Sequence, residues 1–367
     1  MRMLDPLLPM MAREFGVGLG AVAPLIGGFA LAYGLGQLAS GPLGDRFGKV
    51  RVAAIAMALY VVTLLVASIA ADLPTLLGIR VLAGLTSAAV IPLFMAHIGD
   101  TVPYEHRQAT LGRFLTGMVM AQLLAGPISG VVAEAAGWRA SFLVLGLLGL
   151  SVTVVFLVKG GAPLWRGPPA GVGRGGLGGF RRLLETRSGR VLMLAAALDG
   201  LLLFGGAFPF IASLLIERFG FSAAEAGLAT AGFGLGSLLY TRISARLIAT
   251  LGEAGMAVFG AAGLAVVMVV IALSPVWWVV VALQMVSGLL FFMLHGVLQA
   301  RSTEALPDAR GTAVAGFAMA LFFGQAIGAV LFGTVIVAGG FTAAFLLTAA
   351  GVAGLALWLR RVLVTAA

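Results

Sequence analysis

Long apolar stretches separated by short polar segments dominate the pattern along this chain. About 20 apolar residues suffice for a helix to cross a bilayer. Eleven stretches approach or exceed that length, and each is predicted to be a membrane-spanning helix. They cover residues 20–43, 52–71, 75–99, 108–133, 141–158, 191–215, 224–246, 255–273, 276–299, 313–337 and 341–359. A further apolar segment at residues 1–12 is too short to span.

The composition supports this membrane assignment. Of 367 residues, 61% are hydrophobic and 10% are charged, and the mean hydropathy is +1.10. Soluble proteins carry about 25% charged residues, so a water-soluble enzyme is excluded. The chain has no cysteine and no asparagine, which excludes disulfides, thiolate zinc sites and N-glycosylation.

The net charge of +9 is distributed unevenly between the two sides of the membrane. If the predicted helices alternate in direction, eighteen Arg and Lys residues fall on one side and only Arg13, Arg139 and Arg218 on the other. Basic residues accumulate in cytoplasmic loops. The pattern therefore predicts a cytoplasmic C-terminus and attributes the charge to topology and not to nucleic-acid binding.

Residues 159–190 form the longest hydrophilic stretch, which is rich in glycine and proline. This composition predicts a flexible cytoplasmic linker between an N-terminal bundle, residues 1–158, and a C-terminal bundle, residues 191–367. A plain tether is the simpler interpretation. The alternative for residues 180–184 is a short basic amphipathic turn on the membrane surface.

An internal repeat relates the two bundles. An offset of 203 residues aligns Gln122 with Gln325, and an offset of 204 aligns Gly48 with Gly252. Parallel repeats of this kind are typical of transporters whose binding site lies between the halves near the bilayer midplane. The predicted fold is thus an all-α membrane protein of two pseudo-symmetric six-helix bundles.

The same offset places the counterpart of the seventh span partly ahead of Met1. That span begins near Val191, so its partner would begin about a dozen residues before the given start. We therefore expect the front of the first transmembrane helix to be missing. The alternative is a functional eleven-span protein, in which an apolar half-helix would be a poor spanning element.

The first basic hairpin reads G-P-L-G-D-R-F-G-K-V-R over residues 41–51. This resembles the loop 2–3 signature G-x-L-x-D-[RK]-x-G-[RK]-x-[RK] of the major facilitator superfamily. The resemblance implies transport by alternating access, with this loop latching the cytoplasmic side when the protein opens outward. An ordinary basic loop is the alternative. The matching positions are Gly41, Asp45, Arg46, Gly48, Lys49 and Arg51.

A second motif lies in the fifth span, where residues 126–130 read G-P-I-S-G. It resembles the G-P-x-x-G-G signature of drug/proton antiporters in the same superfamily, with Val131 in place of the last glycine. The resemblance implies that Gly126, Pro127 and Gly130 kink this helix and let its neighbours approach. It also favours export over uptake.

Two charged residues are expected to meet inside the first bundle. Asp5 opens the segment D-P-L-L-P, which looks like the first-helix D…P motif of these antiporters. Arg80 lies in R-V-L-A-G, which is similar to the family's R-x-x-Q-G, with Ala83 replacing glutamine. An intramembrane arginine needs a partner, and the helical rise places both residues at similar depths. We expect an ion pair that either couples protonation to conformation or statically fixes helix packing.

Further polar residues lie within the predicted spans. Asp199 is expected to face the cavity as a second proton or cation site, the alternative being a structural hydrogen bond to a neighbouring helix. His295 is of a type that titrates near neutral pH, although a lone histidine among apolar residues more often serves packing. Gln122 and Gln325, equivalent under the repeat, are expected to line the cavity from both sides.

These observations predict a proton-coupled exporter of small hydrophobic or amphipathic compounds, monomeric, without cofactor or metal, in a bacterial inner membrane. A first alternative is an uptake carrier for a sugar or another metabolite, which requires a more polar cavity. A second is a membrane enzyme, but the chain contains neither an H-E-x-x-H nor a Walker A sequence. A non-transporting sensor has no positive support.

Overall fold

The computed structural model describes residues 2–161, 178–306 and 310–364, and these residues form helices and no strand. A 3₁₀ turn, Arg2–Leu4, precedes the first α-helix, and π-helical segments cover Gly200–Ala207 and Arg360–Val364. The α-helices are α1 (Leu8–Glu14), α2 (Leu19–Val22), α3 (Pro24–Phe47), α4 (Lys49–Ala67), α5 (Leu73–Ser87), α6 (Val90–Thr101), α7 (Tyr104–Ala136), α8 (Trp138–Gly160), α9 (Gly178–Glu185), α10 (Arg187–Asp199), α11 (Phe208–Phe219), α12 (Ala223–Thr230), α13 (Gly232–Leu273), α14 (Trp277–Ser302) and α15 (Arg310–Leu359).

Nine helices in the described part of the chain are long and apolar enough to cross a membrane. Two of them, Ala223–Leu273 and Gly311–Leu363, are about twice the usual length. Each contains a glycine with positive φ, 67° at Gly252 and 75° at Gly340, where the chain leaves one helix and begins the next. Counting each as two spans gives eleven, so the predicted number is confirmed.

The backbone turns confirm the internal repeat. Glycine adopts positive φ without the steric cost that a Cβ imposes. Apart from Gly161, the positive-φ glycines of the described chain form three pairs at offsets of 203 or 204 residues. The pairs are Gly16 with Gly220, Gly48 with Gly252, and Gly137 with Gly340. Equivalent spans of the two halves therefore end on equivalent turns.

We call α1–α8 the first half and α10–α15 the second half, following the predicted division. Residues 162–177 of the predicted linker lie outside the described residues. The remainder contains α9, so the segment 180–184 is helical. Leu183 is buried against Leu306 and Ala313, which places α9 against the second half.

The two halves meet near one end and separate at the other. At Gly27 a Cβ would lie 2.8 Å from the carbonyl oxygen of Ala326, which shows how closely α3 approaches α15. Helix α7 makes an equivalent approach to α12. In contrast, a Cβ at Gly41, Gly112 or Gly117 would have no described atom within 4 Å beyond its own neighbourhood. The close contacts between the halves lie at Gly20, Gly27 and Gly34 and at Gly126 and Gly130, all away from the Gly48 hairpin. We therefore describe the cleft as open at the end that carries this hairpin, which we call the basic end.

Candidate functional site

A small cavity lies between the halves, beneath the contacts that close the end opposite the basic end. The 3₁₀ turn and the segment after it line one wall, α7 lines a second, and α12–α14 line the rest. Its lining residues are Arg2, Asp5, Val119, Gln122, Leu123, Gly126, Pro127, Thr230, Ala231, Phe233, Gly234, Ser237 and Phe292.

Asp5 is 4% exposed and forms an ion pair with Arg2, whose Nη1 lies 3.6 Å from Oδ2 of Asp5. The Arg2 guanidinium also crosses to the second half, where it lies 4.5 Å from the ring centroid of Phe233 and 5.6 Å from that of Phe208. A guanidinium over aromatic rings is attracted by their π-faces. Arg2 thus joins the first-half carboxylate to the aromatic side chains of the second half.

The expected pair of Asp5 with Arg80 is wrong. Arg80 is 1% exposed and directs Nε to the carbonyl oxygen of Leu25 at 3.3 Å, with its guanidinium 4.4 Å from the ring centroid of Phe29. Arg80 therefore contacts α3, and Asp5 pairs three residues away along the chain. Equal depth along two helices does not fix their rotation, and rotation decides which side chains meet.

Sequence reasoning missed Arg2 as a site residue. Arg2 lies in the same apolar segment as Asp5, and residues three apart on a helical turn are neighbours. An intramembrane arginine needs a partner, and this rule, applied to Arg2 as it was to Arg80, predicts the pair with Asp5.

A second buried acid lies inside the second half. Asp199, at the end of α10, is 0% exposed, and its Oδ2 lies 2.7 Å from Nδ1 of His295 on α14. The expectation that Asp199 faces the cavity is wrong, because the side chain is buried between helices of one half. Its hydrogen bond to a neighbouring helix matches the structural alternative. His295 is correspondingly a paired residue and not a lone one.

The two repeat-related glutamines occupy different environments. Gln122 is exposed and lines the cavity, as expected. Gln325 is 2% exposed on α15, and its backbone packs against Gly205 of the π-helical segment, so its expected place on the cavity wall is wrong. The cavity lies on the α7–α12 side of the cleft, whereas Gln325 belongs to the opposite contact.

The G-P-I-S-G segment packs directly against the other half. A Cβ at Gly126 would lie 3.3 Å from the carbonyl oxygen of Gly227, and one at Gly130 would overlap the carbonyl oxygen of Ala223. One turn further along, Glu134 accepts a hydrogen bond from the backbone N–H of Ala224 at 3.2 Å, near the start of α12. The expected close approach is confirmed, and the neighbour is a helix of the second half. Pro127 lies within α7 and lines the cavity.

The hairpin of residues 41–51 makes a sharp turn at Gly48, where φ is 97°. Lys49 pairs with Asp100 on α6 at 2.5 Å, a contact within the first half. The Arg46 guanidinium lies over the ring of Phe47, while Asp45 is half-buried. Arg51, the last position of the signature, lies in the first turn of α4. Because the halves are apart at this end, a latch role for the hairpin stays a prediction.

A model of the Major Facilitator Superfamily matches residues 1–210 and 192–366. This chain belongs to the Major Facilitator Superfamily. It is therefore a multi-pass membrane transporter and not an enzyme. The match covers both halves, in agreement with the repeat that relates them.

Relatives within the Major Facilitator Superfamily include transporters and resistance proteins. The chain is 25% identical over 335 residues to the uncharacterized MFS-type transporter YceJ of Bacillus subtilis (strain 168), covering 89% of this chain and 83% of that protein. It is 26% identical over 346 residues to a chloramphenicol resistance protein of Pseudomonas aeruginosa, covering 91% and 78%. Multidrug resistance protein D of Escherichia coli (strain K12) is 31% identical over 150 residues, covering 40% and 38%.

A solved structure shows the same fold. The crystal structure of nucleoside transporter NupG superposes with a TM-score of 0.75 at 15% identity, covering 98% of this chain and 94% of NupG. At this identity the likeness concerns the Major Facilitator Superfamily fold alone.

Proposed function

We propose that this protein is a proton-coupled exporter of small hydrophobic or amphipathic compounds that works by alternating access. The observation that carries the proposal is the cavity between the halves, which holds the Asp5–Arg2 pair and is closed at one end by the G-P-I-S-G contact. A central cavity open to one side at a time is what alternating access requires.

The cavity wall suits amphipathic molecules. Its apolar surface comes from Phe233, Phe292 and Pro127, and its polar groups are few. They are the Asp5–Arg2 pair, the amide of Gln122 and two hydroxyls. A mainly apolar pocket with a few placed polar groups favours compounds of mixed character. An uptake carrier for a sugar would need more hydrogen-bonding groups than this wall presents.

The charge pattern supports an orientation of the protein in the membrane. Arg and Lys residues gather at the end where the cleft opens, and basic loops lie on the cytoplasmic side of membrane proteins. On that orientation the C-terminus is cytoplasmic and the cavity is open to the cytoplasm. Export then begins with a compound entering from the cytoplasm, in the inner membrane of a bacterium and with a monomer as the working unit. The resistance proteins among the relatives support export.

Everted membrane vesicles test the direction and the driving force together. We expect chloramphenicol, representing the resistance proteins, to accumulate in vesicles acidified inside, and a pH-sensitive dye to report proton release when the compound is added. Collapse of the pH gradient should abolish accumulation.

A matched probe addresses the alternative of uptake. The nucleoside uridine should not accumulate in right-side-out vesicles that are acidified outside. Uridine accumulation there, with no movement of chloramphenicol or other amphipathic compounds in everted vesicles, would contradict export and favour the uptake carrier.

A further inference from the structure

Asp199 and His295 form an isolated acid–base pair in the second half. Asp199 Oδ2 lies 2.7 Å from His295 Nδ1, and Asp199 Oδ1 has no hydrogen-bond partner among the described residues. A buried carboxylate is costly unless it is paired and hydrogen-bonded. The imidazole is therefore the group that makes the charge of Asp199 tolerable in this position.

The charge of this pair depends on one proton. With a proton on both imidazole nitrogens, the imidazolium and the carboxylate neutralise each other. When that proton leaves to water, a neutral imidazole and a carboxylate remain, and the pair carries one negative charge. Asp199 is fully buried and His295 is 8% exposed, so exchange of this proton with water requires a helix movement that admits water to the pair.

Aromatic rings contact the His295 side of the pair. The His295 ring stacks on Phe291 with centroids 5.0 Å apart, while Phe204 and Phe317 contact it at 5.5 and 5.7 Å. On the α13 side, a Cβ at Gly296, the residue after His295, would lie 3.1 Å from the hydroxyl of Tyr240. Tyr240 is therefore a titratable group near the pair.

Aromatic rings also connect the pair to the cavity. Arg2 lies over Phe233, the centroid of Phe233 is 5.5 Å from that of Phe291, and Phe291 stacks on His295. Phe292, which lines the cavity, lies 6.4 Å from His295. Arg2 is thus the charged group that faces the pair from the first half, across two rings.

The pair also lies beside a close helix contact of the second half. Asp199 directly precedes the π-helical segment Gly200–Ala207, a form of helix that often occurs at functional sites. A Cβ at Gly200 would overlap the carbonyl oxygen of Leu321 on α15, and one at Gly328 would overlap that of Leu201. Helix α15 in turn packs against α3 of the first half. A shift of the α10–α15 contact therefore reaches the interface between the halves.

We propose that Asp199 and His295 together form the exchangeable proton site of this transporter, separate from the Asp5–Arg2 pair and joined to the cavity through Phe291 and Phe292. The inference rests on the proton coupling proposed above. One proton binds to the pair from one side of the membrane, neutralises it, and leaves to water on the other side. Binding of a compound beside Arg2 and Phe292 alters the ring contacts of His295 and favours release.

Histidine NMR of the full-length protein tests the site without any transported compound. The chain has three histidines, His97, His106 and His295, so ¹⁵N-labelled histidine gives three sets of signals, and His295→Gln identifies the third. We expect the ring nitrogens of His295 to change protonation between pH 5 and 9, and Asp199→Asn to alter that titration while those of His97 and His106 stay unchanged. A His295 that keeps one protonation state throughout, or is unaffected by Asp199→Asn, would overturn the proposal.

Transport with chloramphenicol as the probe separates proton coupling from binding. We expect Asp199→Asn and His295→Gln to reduce pH-driven accumulation at least tenfold while retaining exchange of labelled for unlabelled compound. Ser287→Ala is the matched control, because Ser287 is buried on the same helix and its hydroxyl has no partner in the described chain. It should transport like the wild type. Asp5→Asn should lose both accumulation and exchange.

Each outcome separates the two proposals. Accumulation retained in folded Asp199→Asn, or loss of exchange together with accumulation, would overturn the proton site and leave the exporter in place. Accumulation by the wild type that ignores the pH gradient would contradict the proposed function, and the NMR titration would still decide whether the pair binds an exchangeable proton.

Discussion

The two buried acids of this protein have basic partners of different kinds. Asp5 pairs with an arginine, whose own charge does not change under ordinary conditions, so only the carboxyl of this pair can gain or lose a proton. Asp199 pairs with a histidine, so its pair gains or loses a unit of charge with one proton. The first pair lies between the halves and the second lies within one half. The difference fits the two tasks proposed above, recognition at the interface and proton exchange inside a bundle.

The largest effects should come from two glycines at close helix contacts, one within the second half and one between the halves. Gly200→Ala would drive a methyl group into the Leu321 backbone within one bundle, where neither helix has room to move. We expect that variant to fail to fold, as judged by its yield after size-exclusion chromatography in detergent.

Gly130→Ala places its methyl group against Ala223 across the halves. The two halves can move apart to accommodate the methyl group, whereas two packed helices of one half cannot. This variant should therefore fold, but it should lose transport more than tenfold because the contact between the halves is disturbed. Gly117→Ala, on the same helix and facing open space, is the control. Normal transport by Gly130→Ala would show that the halves do not need this contact.

Neutralising each acid should distinguish the pairs by stability. Asp5→Asn leaves the Arg2 guanidinium, whose side chain is 18% exposed, without its counter-ion, which we expect to cost about 3 kcal/mol of unfolding free energy. Asp199→Asn leaves a histidine that can become neutral and keep a hydrogen bond, at about 1 kcal/mol. Thermal unfolding in detergent measures both. Equal losses would contradict the distinction between a permanently charged and a titratable basic partner.

An exposed pair at the closed end provides the baseline. Glu14, outside the predicted spans, accepts hydrogen bonds from Arg139 and from Trp138 Nε1. The hydrogen bond from Arg139 lowers the pKa of Glu14 below its usual value. A carboxyl group whose pKa is lower in the folded than in the unfolded protein stabilises the fold at pH values above the ordinary glutamate pKa. That stabilisation is lost as the pH falls through the lowered pKa.

Because this pair is half-exposed, we expect the loss in Glu14→Gln to be no more than about 0.5 kcal/mol at pH 7. The difference from the wild type should vanish at acidic pH in the same unfolding measurements. A larger loss of unfolding free energy would contradict the expectation that exposed ion pairs of this protein contribute less stability than buried ones.

The sequence by itself determined the number of spans, their apolar character, the repeat and the family. These follow from local composition and from glycines at fixed spacing, such as Gly48 and Gly252, whose positive φ only the absence of a Cβ makes easy. It also singled out Asp5, Asp199 and the G-P-I-S-G segment, because charges and helix-contact glycines are conspicuous among apolar residues.

Only the tertiary structure decided which of these residues meet. Arg80 contacts α3 and not Asp5, and Asp199 pairs with His295, ninety-six positions away. Gln325 is buried where its backbone packs against the π-helical segment of its own half. Such pairings depend on how each helix rotates about its axis and on which helix packs beside it. A uniformly apolar span encodes its length in its own residues, but its rotation is set by the surfaces of its neighbours.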